Sequence, residues 1–456
     1  MSTTERPGDR LPFYMRNNYA PVQQEVEATD LAVTGALPPG LNGRFFRNGA
    51  NPADGVPSHW FDGDGMLHGI RLRNGKAEWY RNRWVQTKLL AGVPRFDPET
   101  FEFDLSVGRA NTHVIRHAGR IVALEEGSFP NEISPDLDTV GPYDFDGKLS
   151  TPCTAHPHVC PETGEMHFFG YELVAEPYVT YYVADASGAV IHAQPIEVPA
   201  PVMMHDFAVS RNHAIFLDLP VAFDLDVALS GRGMPFIWRP DNGGRVGLLD
   251  RRNVGADQPA QPRWFDVDPC YVFHIMNAWE EEDGNVVVLD AGRHPSMWSA
   301  DPNAFEPCYL WRWRFDLRTG AVTEEQLDDQ DHAFPRIDDR RTGLTNRYGW
   351  AVTNRPGEPV TNDVGSGVVK YDLRTGASSF HDFGVGVSTS EPVFVPESDT
   401  SSEGEGWVLS FLYDRATESS SFVVLDATDM AAAPVATIAL PQRVPNGFHG
   451  SWFPDE

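Results

Sequence analysis

Four of the 15 histidines in this 456-residue sequence lie in apolar or aromatic surroundings that predict strand edges. They are His156 in TPCTAHPHV, His205 in VMMHDFAVS, His274 in YVFHIMNAW and His449 in GFHGSW. Their separations of 49, 69 and 175 residues are far too wide for a zinc finger or for two ligands on one helix. A shared site therefore requires a fold that returns repeatedly to one axis. Four neutral imidazoles suit iron, copper or zinc, so the residue types alone do not name a metal.

Repeated hairpins are the elements that could bring such distant residues together. The segments WRFDLRTGAV (313–322) and VKYDLRTGAS (369–378) are near copies, and each reads as a strand, a turn with Asp and Gly, and a second strand. Other β-rich runs and turns recur at about 40 to 56 residues per multi-strand unit. This pattern predicts a β-propeller, whose inner strands converge on one axis where one His per blade could surround a single ion.

Three stretches interrupt the strand pattern, and we expect them to form a cap of loops or short helices over one face of the ring; they are 86–105, 221–242 and 294–307. The last strand of a propeller often completes its first blade, which would hold the segment GFHGSW inside the fold. No stretch has the composition of a linker. We therefore predict a mobile tail at 1–9 and one propeller domain over 10–456.

The composition excludes several classes of function. A net charge of −29 argues against nucleic acid partners and against adsorption to anionic membranes, since both require a positive face. No stretch reaches the roughly 18 uncharged apolar residues of a membrane span, and the N-terminal segment lacks an apolar signal region. We therefore expect a cytoplasmic protein with at most transient membrane contact. The four cysteines form no CxxC pair and are expected to be buried free thiols.

Eight ordered motifs, which cover nearly the whole chain, resemble those of the carotenoid cleavage oxygenases, non-haem iron dioxygenases that split an olefinic double bond into two carbonyls. The motifs are GRFFRNGANP, HWFDGDGMLHGIRL, ANTHVIRHAGRIVALEEG, TAHPH, MHDFA, FHIMNAW, SEPVFVP and FHGSW. The resemblance implies an all-β, seven-bladed β-propeller with a helical and loop cap over one face. It also implies one Fe(II) per chain on the propeller axis, with ligands at His156, His205, His274 and His449.

The resemblance further implies glutamates that accept the second N–H of a ligand imidazole, an arrangement that fixes tautomer and ring orientation. Glu126 in ALEEGS and Glu391 in TSEPVF match two of these glutamates. A third family glutamate precedes Phe/Leu-Pro-Arg-Ile, but this chain has Ala333 in DHAFPRIDD. Either His274 lacks an orienting partner, or Asp331 or a water molecule replaces it. The departure bears on metal affinity and not on the fold.

Two further positions have matches in the family. Thr112 in ANTHV matches a threonine whose methyl group blocks one coordination site and leaves another for O2. The alternative is that Thr112 is an ordinary buried β-branched residue of a strand. His158 shares a strand face with His156, but many members have lysine there. We therefore do not expect His158 to be a ligand.

The residue before Glu126 bears on the substrate. Members that resemble lignostilbene dioxygenases pair a Tyr with a Lys at this position to deprotonate a phenol, whereas this chain has Glu125 and no Tyr between Tyr80 and Tyr143. A carboxylate opposes phenolate formation. We therefore expect cleavage of a conjugated C=C bond in a carotenoid or apocarotenoid, a small hydrophobic alkene that reacts with O2. A stilbene or phenylpropenoid alkene is the alternative.

Aromatic residues beside the expected ligands could line an apolar tunnel, although core packing is the alternative for at least half of them; they are Phe273, Trp279, Phe448 and Trp452. The cap segment 223–238 could touch lipid.

Two other classes of protein compete with the dioxygenase. A non-catalytic propeller scaffold predicts no convergent buried His, and a propeller hydrolase such as a lactonase uses Glu, Asp and Asn on the axis, so four His would be the wrong ligand set.

Overall fold

Short antiparallel strands joined by tight turns make up most of the structure, which is a computed structural model. It describes residues 11–100, 102–231, 233–255, 259–299, 305–355 and 364–455, and the tail predicted at 1–9 lies outside these ranges. Within them, the strands form seven sheets of four to six strands each and two additional two-stranded hairpins. Each sheet pairs strands that are mostly successive in the chain, as in a propeller blade. The predicted all-β, seven-bladed propeller is confirmed.

The first four blades are named I to IV in chain order. Blade I contains Glu27–Ala28, Gly43–Ala50, Gly65–Arg73, Lys76–Trp84 and Gly450–Pro454. Blade II contains His113–His117, Arg120–Leu124, Asn131–Ile133 and Thr139–Pro142. Blade III contains His158–Val159, Met166–Tyr171, Val179–Ala184 and Val190–Ile196. Blade IV contains Ala208–Val209, His213–Asp218, Gly244–Asp250 and Arg263–Val267.

The remaining blades are V to VII. Blade V contains Tyr271–Glu281, Val286–His294, Tyr309–Asp316 and Val322–Gln326. Blade VI contains His332–Arg336, Tyr348–Thr353, Gly367–Asp372 and Ala377–Asp382. Blade VII contains Val33–Gly35, Val387–Thr389, Val393–Pro396, Gly406–Asp414, Ser419–Asp426 and Ala436–Ala439.

Strands from both ends of the sequence close the ring. Strand Val33–Gly35 pairs with Ala436–Ala439 at the outer edge of blade VII. Strand Gly450–Pro454 pairs with Gly43–Ala50 on the inner side of blade I, with Arg47 opposite Gly450. Both pairings satisfy backbone groups that would otherwise form open sheet edges. The predicted placement of GFHGSW inside the fold is confirmed.

The core lies between neighbouring blades. Central strands such as Val286–His294 are buried on both faces, whereas the outer strand Val190–Ile196 alternates buried and exposed residues over most of its length. The seam between blades I and VII shows the packing, with Phe45 at 5.1 Å from Phe422 and 5.4 Å from Phe411 between ring centroids. Burial of such large apolar groups is the main favourable term that holds adjacent blades together.

The repeated Asp-Leu-Arg-Thr-Gly segment forms the same outer hairpin turn in blades V and VI. Asp316 Oδ1 accepts hydrogen bonds from the backbone N–H of Arg318 and Thr319, and Asp372 Oδ1 accepts the equivalent pair. Gly320 and Gly376 have φ of +80° and +73°, a conformation that residues with a Cβ rarely adopt. The turns predicted from the repeat are therefore confirmed.

Three elements outside the blades cover one face of the ring. The hairpin of Phe96–Asp97 and Glu102–Phe103 lies in the first predicted cap stretch, and the pair Val221–Phe223 and Phe236–Trp238 lies in the second. Helix α1, Leu225–Ser230, lies within the second stretch, with Asp224 as its N-cap. The 3-10 helices are Phe13–Met15, Asn17–Tyr19, Trp60–Asp62, Pro240–Asn242, Arg251–Asn253, Glu282–Gly284 and Asp339–Arg341. In the described ranges, no helix is long and apolar enough to cross a bilayer.

Candidate active site and metal centre

The four predicted ligand histidines lie at the axial strands of four different blades. His156 and His205 precede the innermost strands of blades III and IV, and His449 directly precedes strand Gly450–Pro454 of blade I. His274 lies within Tyr271–Glu281 of blade V, where the strand register shifts between Val272 and Ile275. Such a bulge turns a side chain out of the regular alternation, and here it affects the segment that carries His274.

These histidines converge on one point, as predicted. Ligand nitrogens from all four lie within 4.8 Å of one another. Nε2 of His205 is 3.0 Å from Nε2 of His156 and 3.3 Å from Nε2 of His274. The ring centroid of His449 is 4.6 Å from that of His156 and 4.7 Å from that of His274. Four blades thus direct imidazole nitrogens at a volume the size of a single ion.

Burial keeps two of these imidazoles, those of His156 and His274, neutral. It lowers the pKa of His156 and of His274 well below the usual value, and the neighbouring imidazoles lower both further. A neutral imidazole has a free lone pair on one ring nitrogen, which is the form that binds a metal ion. The residues therefore fit a divalent transition metal ion with nitrogen ligands.

Glu391 orients His449. Nδ1 of His449 donates to Oε1 of Glu391 at 2.9 Å, and the backbone N–H of Gly450 donates to Oε2 at 2.8 Å. Nη1 of Arg336 lies 3.3 Å from the same carboxylate. Burial alone would raise the pKa of Glu391, but Arg336 and His449 outweigh it and lower the pKa to about 2. Because Nδ1 of His449 is occupied in this way, Nε2 is the nitrogen that faces the axis.

Glu126 makes the corresponding contact with His205. Oε1 of Glu126 lies in close ion-pair contact with Nδ1 of His205. The hydroxyl of Tyr171 donates to Oε2 of Glu126 at 2.5 Å, so both carboxylate oxygens are engaged. Burial and then Glu126 raise the pKa of Tyr171 well above its usual value, which keeps the hydroxyl protonated as a donor. The two glutamates predicted to orient ligand histidines thus contact two of the four.

His274 has an aromatic neighbour in place of a carboxylate. Among the described residues, no Asp or Glu oxygen forms an ion pair with His274, whose ring centroid lies 5.1 Å from that of Phe334. Ala333 is buried beside Phe334. Oδ1 of Asp331 instead accepts the backbone N–H of Cys308 at 2.9 Å.

Thr112 and His158 both lie near the group of four histidines, but they make different contacts. The backbone carbonyl of Thr112 accepts the N–H of His449 at 3.1 Å, and its hydroxyl donates to Asn111 at 3.0 Å. Nε2 of His158 lies 2.7 Å from the carbonyl oxygen of Phe207, so this imidazole bonds the backbone and is not part of the convergent group. Its exclusion as a ligand agrees with this geometry.

The sequence did not point to two residues, His113 and Asp206, that contact the segments carrying the four histidines. His113 lies one position after Thr112, and its Nδ1 is 2.9 Å from the carbonyl oxygen of Ala155, beside His156. Asp206 accepts the backbone N–H of Ile275 at 2.9 Å and thereby joins the His205 segment to the His274 segment. Asp206 directly follows the predicted ligand His205, and His113 directly follows Thr112. This adjacency to predicted site residues is the signal that could have found them.

An apolar cavity of about 720 Å³ reaches the histidines from the cap side. All three predicted cap stretches contribute to its wall, through Phe103, Phe223 and Phe305. Phe273, Phe448, Thr112, Glu126, His205, His274 and His449 line its inner part. Of the four aromatic residues expected in a tunnel, Phe273 and Phe448 line this cavity, whereas Trp279 packs against Val286 and Val288 in the core.

A second cavity of about 440 Å³ approaches the group of histidines from the opposite face of the ring and is lined by His156, His274 and His449. Its wall includes Asp206, Asn277, Arg336 and Asp339, and it also reaches Trp452. The four histidines therefore lie between an apolar cavity under the cap and a more polar one along the axis.

Comparison with known proteins agrees with this architecture. A family model described as RPE65, retinal pigment epithelial membrane protein, matches residues 19–454. The chain is 36% identical to the carotenoid cleavage oxygenase of Mycobacterium tuberculosis, over 99% of each chain. It is 35% identical to carotenoid 9,10(9',10')-cleavage dioxygenase 1 of Arabidopsis thaliana, over 98% of this chain and 91% of the relative. It is 32% identical to isoeugenol monooxygenase of Pseudomonas nitroreducens, over 95% and 96%.

Solved structures give the same result. The lignostilbene dioxygenase of Pseudomonas brassicacearum superposes with a TM-score of 0.87 at 30% identity and covers 98% of this chain and 99% of its own. A cobalt-substituted Synechocystis ACO superposes with a TM-score of 0.83 at 25% identity, over 95% and 97%. With its seven blades, its four convergent histidines and these matches over nearly its full length, the chain belongs to the RPE65/carotenoid cleavage oxygenase family of oxidoreductases that use O2.

Proposed function

We propose that this protein is a non-haem Fe(II) dioxygenase that cleaves a conjugated C=C bond of a carotenoid or apocarotenoid with O2 to give two aldehyde or ketone products. The observation that carries the proposal is the convergence of four histidines beside an apolar cavity of about 720 Å³, which three of them, His205, His274 and His449, line. A cavity of this size and lining favours a long apolar alkene next to the metal ligands.

The proposed metal is one Fe(II) per chain, held by the neutral imidazoles of His156, His205, His274 and His449. Bound there, the ion would supply the binding and activation of O2 beside the alkene. Glu126 and Glu391 would hold His205 and His449 in the tautomer that presents Nε2 to the metal, because each contacts the Nδ1 of its histidine. Thr112, which lines the same cavity, would block one coordination site and leave another for O2.

The overall reaction of the alkene with O2 balances without a reducing cosubstrate. The C=C bond and the O–O bond both break, two C=O bonds form, and each product receives one oxygen atom. The electron-rich conjugated alkene supplies the electrons, so no external reductant is needed. This agrees with the sequence, which has neither a GxGxxG motif after a strand nor a GxxxxGK[ST] motif.

The chain's own contribution is to bind and orient the substrate and to exclude water from it. Phe273 and Phe448 line the cavity beside the ligands, and their rings can pack on the faces of a polyene. Phe334 contacts two ligands, with its ring centroid 5.1 Å from that of His274 and 5.1 Å from that of His449. These aromatic walls fix the alkene beside the metal centre and exclude water from it.

The rim of the cavity offers a route for an apolar substrate. Leu225 and Leu229 of helix α1 and Val174 are 56%, 78% and 67% exposed, and all three border the cavity. Such side chains can enter the outer layer of a lipid surface without the basic residues that stable adsorption needs. We infer transient membrane contact through this rim.

A stilbene or phenylpropenoid alkene is the second candidate substrate. It is supported by the similarity to a lignostilbene dioxygenase and to an isoeugenol monooxygenase, both over most of the chain. Against it stands Glu125, which lines the cavity next to Glu126 and whose charge opposes the formation of a phenolate.

The test is anaerobic reconstitution with Fe(II), determination of iron per chain, and then O2 uptake with an apocarotenal and separately with a 4-hydroxystilbene. We expect one iron per chain and cleavage of the apocarotenal, with label from 18O2 in both carbonyl products. Turnover of the stilbene alone would move the function to the second candidate. An iron-free chain that is fully active, or one that consumes no O2 with either substrate, would contradict the proposal.

A further inference from the structure

Arg47 places a positive charge in the interior of the ring. Its side chain, in strand Gly43–Ala50 of blade I, is 2% exposed. Burial lowers the pKa of the guanidinium to about 10, so the group remains charged at neutral pH. Nη2 donates to the carbonyl oxygen of Pro445 at 2.7 Å. Among the described residues, Nε has no acceptor and no carboxylate forms an ion pair with this guanidinium.

Arg312 in blade V shows how the fold treats another buried guanidinium. Its Nε and Nη2 each donate to a carboxylate oxygen of Asp290 at 2.7 Å. A forked pair of this kind neutralises the charge and uses two of the donors. A buried charge without such a partner is costly, because it has lost its contact with water. The environment of Arg47 therefore favours an anion that comes from outside the chain.

A small cavity of about 20 Å³ borders Arg47 where blades I and VII meet. A cavity of about 10 to 15 Å³ holds one particle of the size of water, so this one has room for a monatomic ion and not for phosphate or a carboxylate. Ser388 and Asn446 also line it. In the described part of the chain, neither the hydroxyl of Ser388 nor Nδ2 of Asn446 donates a hydrogen bond to the protein. Both groups can therefore donate to an anion.

A second guanidinium adds to the positive charge at this junction. Nη1 of Arg443 donates to Oδ1 of Asn18 at 3.3 Å, and Asn18 lines the cavity. Arg443 likewise forms no ion pair with any residue whose position is described. Burial, then Arg47 and then Arg443 lower the pKa of His68 well below its usual value, so both charges act in the same region. The local potential is positive although the chain as a whole carries a charge of −29.

The carboxylate that acts on Arg47 through space is already committed. Glu391 favours the charged form of Arg47. Its carboxylate, however, lies 3.3 Å from Nη1 of Arg336 and 2.9 Å from Nδ1 of His449. Those two partners use the charge of Glu391, so it does not compensate Arg47 as well.

We propose that Arg47 and the adjacent cavity bind one small monovalent anion, and that chloride is this ligand. The anion accepts hydrogen bonds from the guanidinium, from the hydroxyl of Ser388 and from Nδ2 of Asn446. The inference goes beyond the proposed function, since this site holds neither the alkene nor the proposed iron. Gly447 also lines the cavity and lies shortly before His449, so the bound anion braces the segment that carries this histidine.

Bromide locates the site directly, because it has the charge of chloride, a similar size and a strong anomalous signal. Crystals of the full chain are grown without chloride and then soaked in bromide. We expect an anomalous peak within hydrogen-bond distance of the guanidinium of Arg47. A peak that is absent there, with a water molecule in its place, would overturn the inference.

Thermal unfolding tests the same site in solution. Chloride replaces glutamate at constant ionic strength, and the midpoint of unfolding of the wild type should rise by about 1 to 3 °C between about 1 and 100 mM chloride. In Arg47→Met, which removes the charge and keeps much of the length, this rise should disappear. The matched control is Arg312→Met, which should be less stable at every concentration but should keep the full dependence on chloride.

Ser388→Ala keeps the experiment decisive if Arg47→Met does not fold. Ser388 is partly exposed, and its loss removes one donor to the anion. We expect about tenfold more chloride to be needed for half of the rise in the midpoint. A bromide peak at Arg47 without any dependence of stability on chloride would mean binding at crystal concentration only and would overturn the inference. Equal dependence in wild type and Arg47→Met, or its loss in Arg312→Met, would overturn it too, because the salt effect would not belong to this site.

Discussion

The axis of the ring and the seam between blades IV and V each contain a histidine paired with a glutamate, which is buried on the axis and half-buried at the seam. On the axis, Nδ1 of His449 lies 2.9 Å from Glu391; at the seam, Nδ1 of His213 lies 2.9 Å from Glu280. Burial alone would raise the pKa of each glutamate, but polar partners outweigh it and lower both pKa values to about 2. By distance and electrostatics, the two pairs are nearly the same.

The two pairs differ in the other groups that their histidine and glutamate contact. Nε2 of His449 faces three other imidazoles, whereas Glu280 also accepts hydrogen bonds from Oγ of Ser210 at 2.7 Å and from the N–H of Asn212 at 2.8 Å. The seam pair therefore joins blade V to the hairpin at the start of blade IV. A carboxylate–imidazole pair does not by itself mark a metal site; convergence of several blades does.

Removal of one axial imidazole should have the largest effect. We expect His449→Ala to lower iron content from one per chain to nearly none and activity by at least about a thousandfold, because three ligands hold the ion less tightly and Glu391 loses its partner. The seam variant His213→Ala should keep its iron. Metal analysis and O2 uptake measure both, and circular dichroism checks that the ring is folded. Full iron content in His449→Ala would show that the ligand assignment is wrong.

Loss of an orienting carboxylate should have the next largest effect. Glu391→Gln keeps the shape of the side chain but removes the charge that holds His449 and pairs with Arg336. We expect iron affinity to fall by about 10- to 100-fold, as for other residues that orient metal-bound histidines. Competition with a chelator measures the affinity. The same substitution at the seam, Glu280→Gln, should leave iron affinity unchanged, and a fall there would break the distinction between the two regions.

Loss of the pair at the seam should lower the stability of the fold and not the affinity for iron. Because the pKa of Glu280 is lowered to about 2, the ionised carboxylate stabilises the fold above its unfolded pKa, and this contribution is lost as the pH falls from about 4.5 towards 2. We expect Glu280→Gln to cost about 2 kcal/mol at pH 7, allowing for solvent screening, and the difference from wild type to shrink over that window. Urea unfolding of the metal-free protein at several pH values measures it. A difference that is constant with pH would contradict this assignment.

The sequence was informative where the chemistry is local. The DLRTG turns follow from Asp and Gly at fixed positions. The propeller and the convergence of His156, His205, His274 and His449 follow from their strand-like surroundings and from family motifs. Less predictable were contacts that exist only once the ring closes. Arg336 meets Glu391 across blades, and Asp206 accepts the N–H of Ile275 from the next blade. Nothing near either residue in the sequence indicates its partner.

The smallest expected effect concerns the histidine without a carboxylate. Ala333 occupies the position of the family's third glutamate, and His274 has the ring of Phe334 as its neighbour. We expect Ala333→Glu to tighten iron binding by about tenfold or less, because a carboxylate there can accept the Nδ1–H of His274 as Glu391 does for His449. Ala333→Gln, of equal size but uncharged, should gain less. If the unpaired charge stays buried instead, the variant will lose stability without tighter binding, and the result will show that His274 does not need a carboxylate partner.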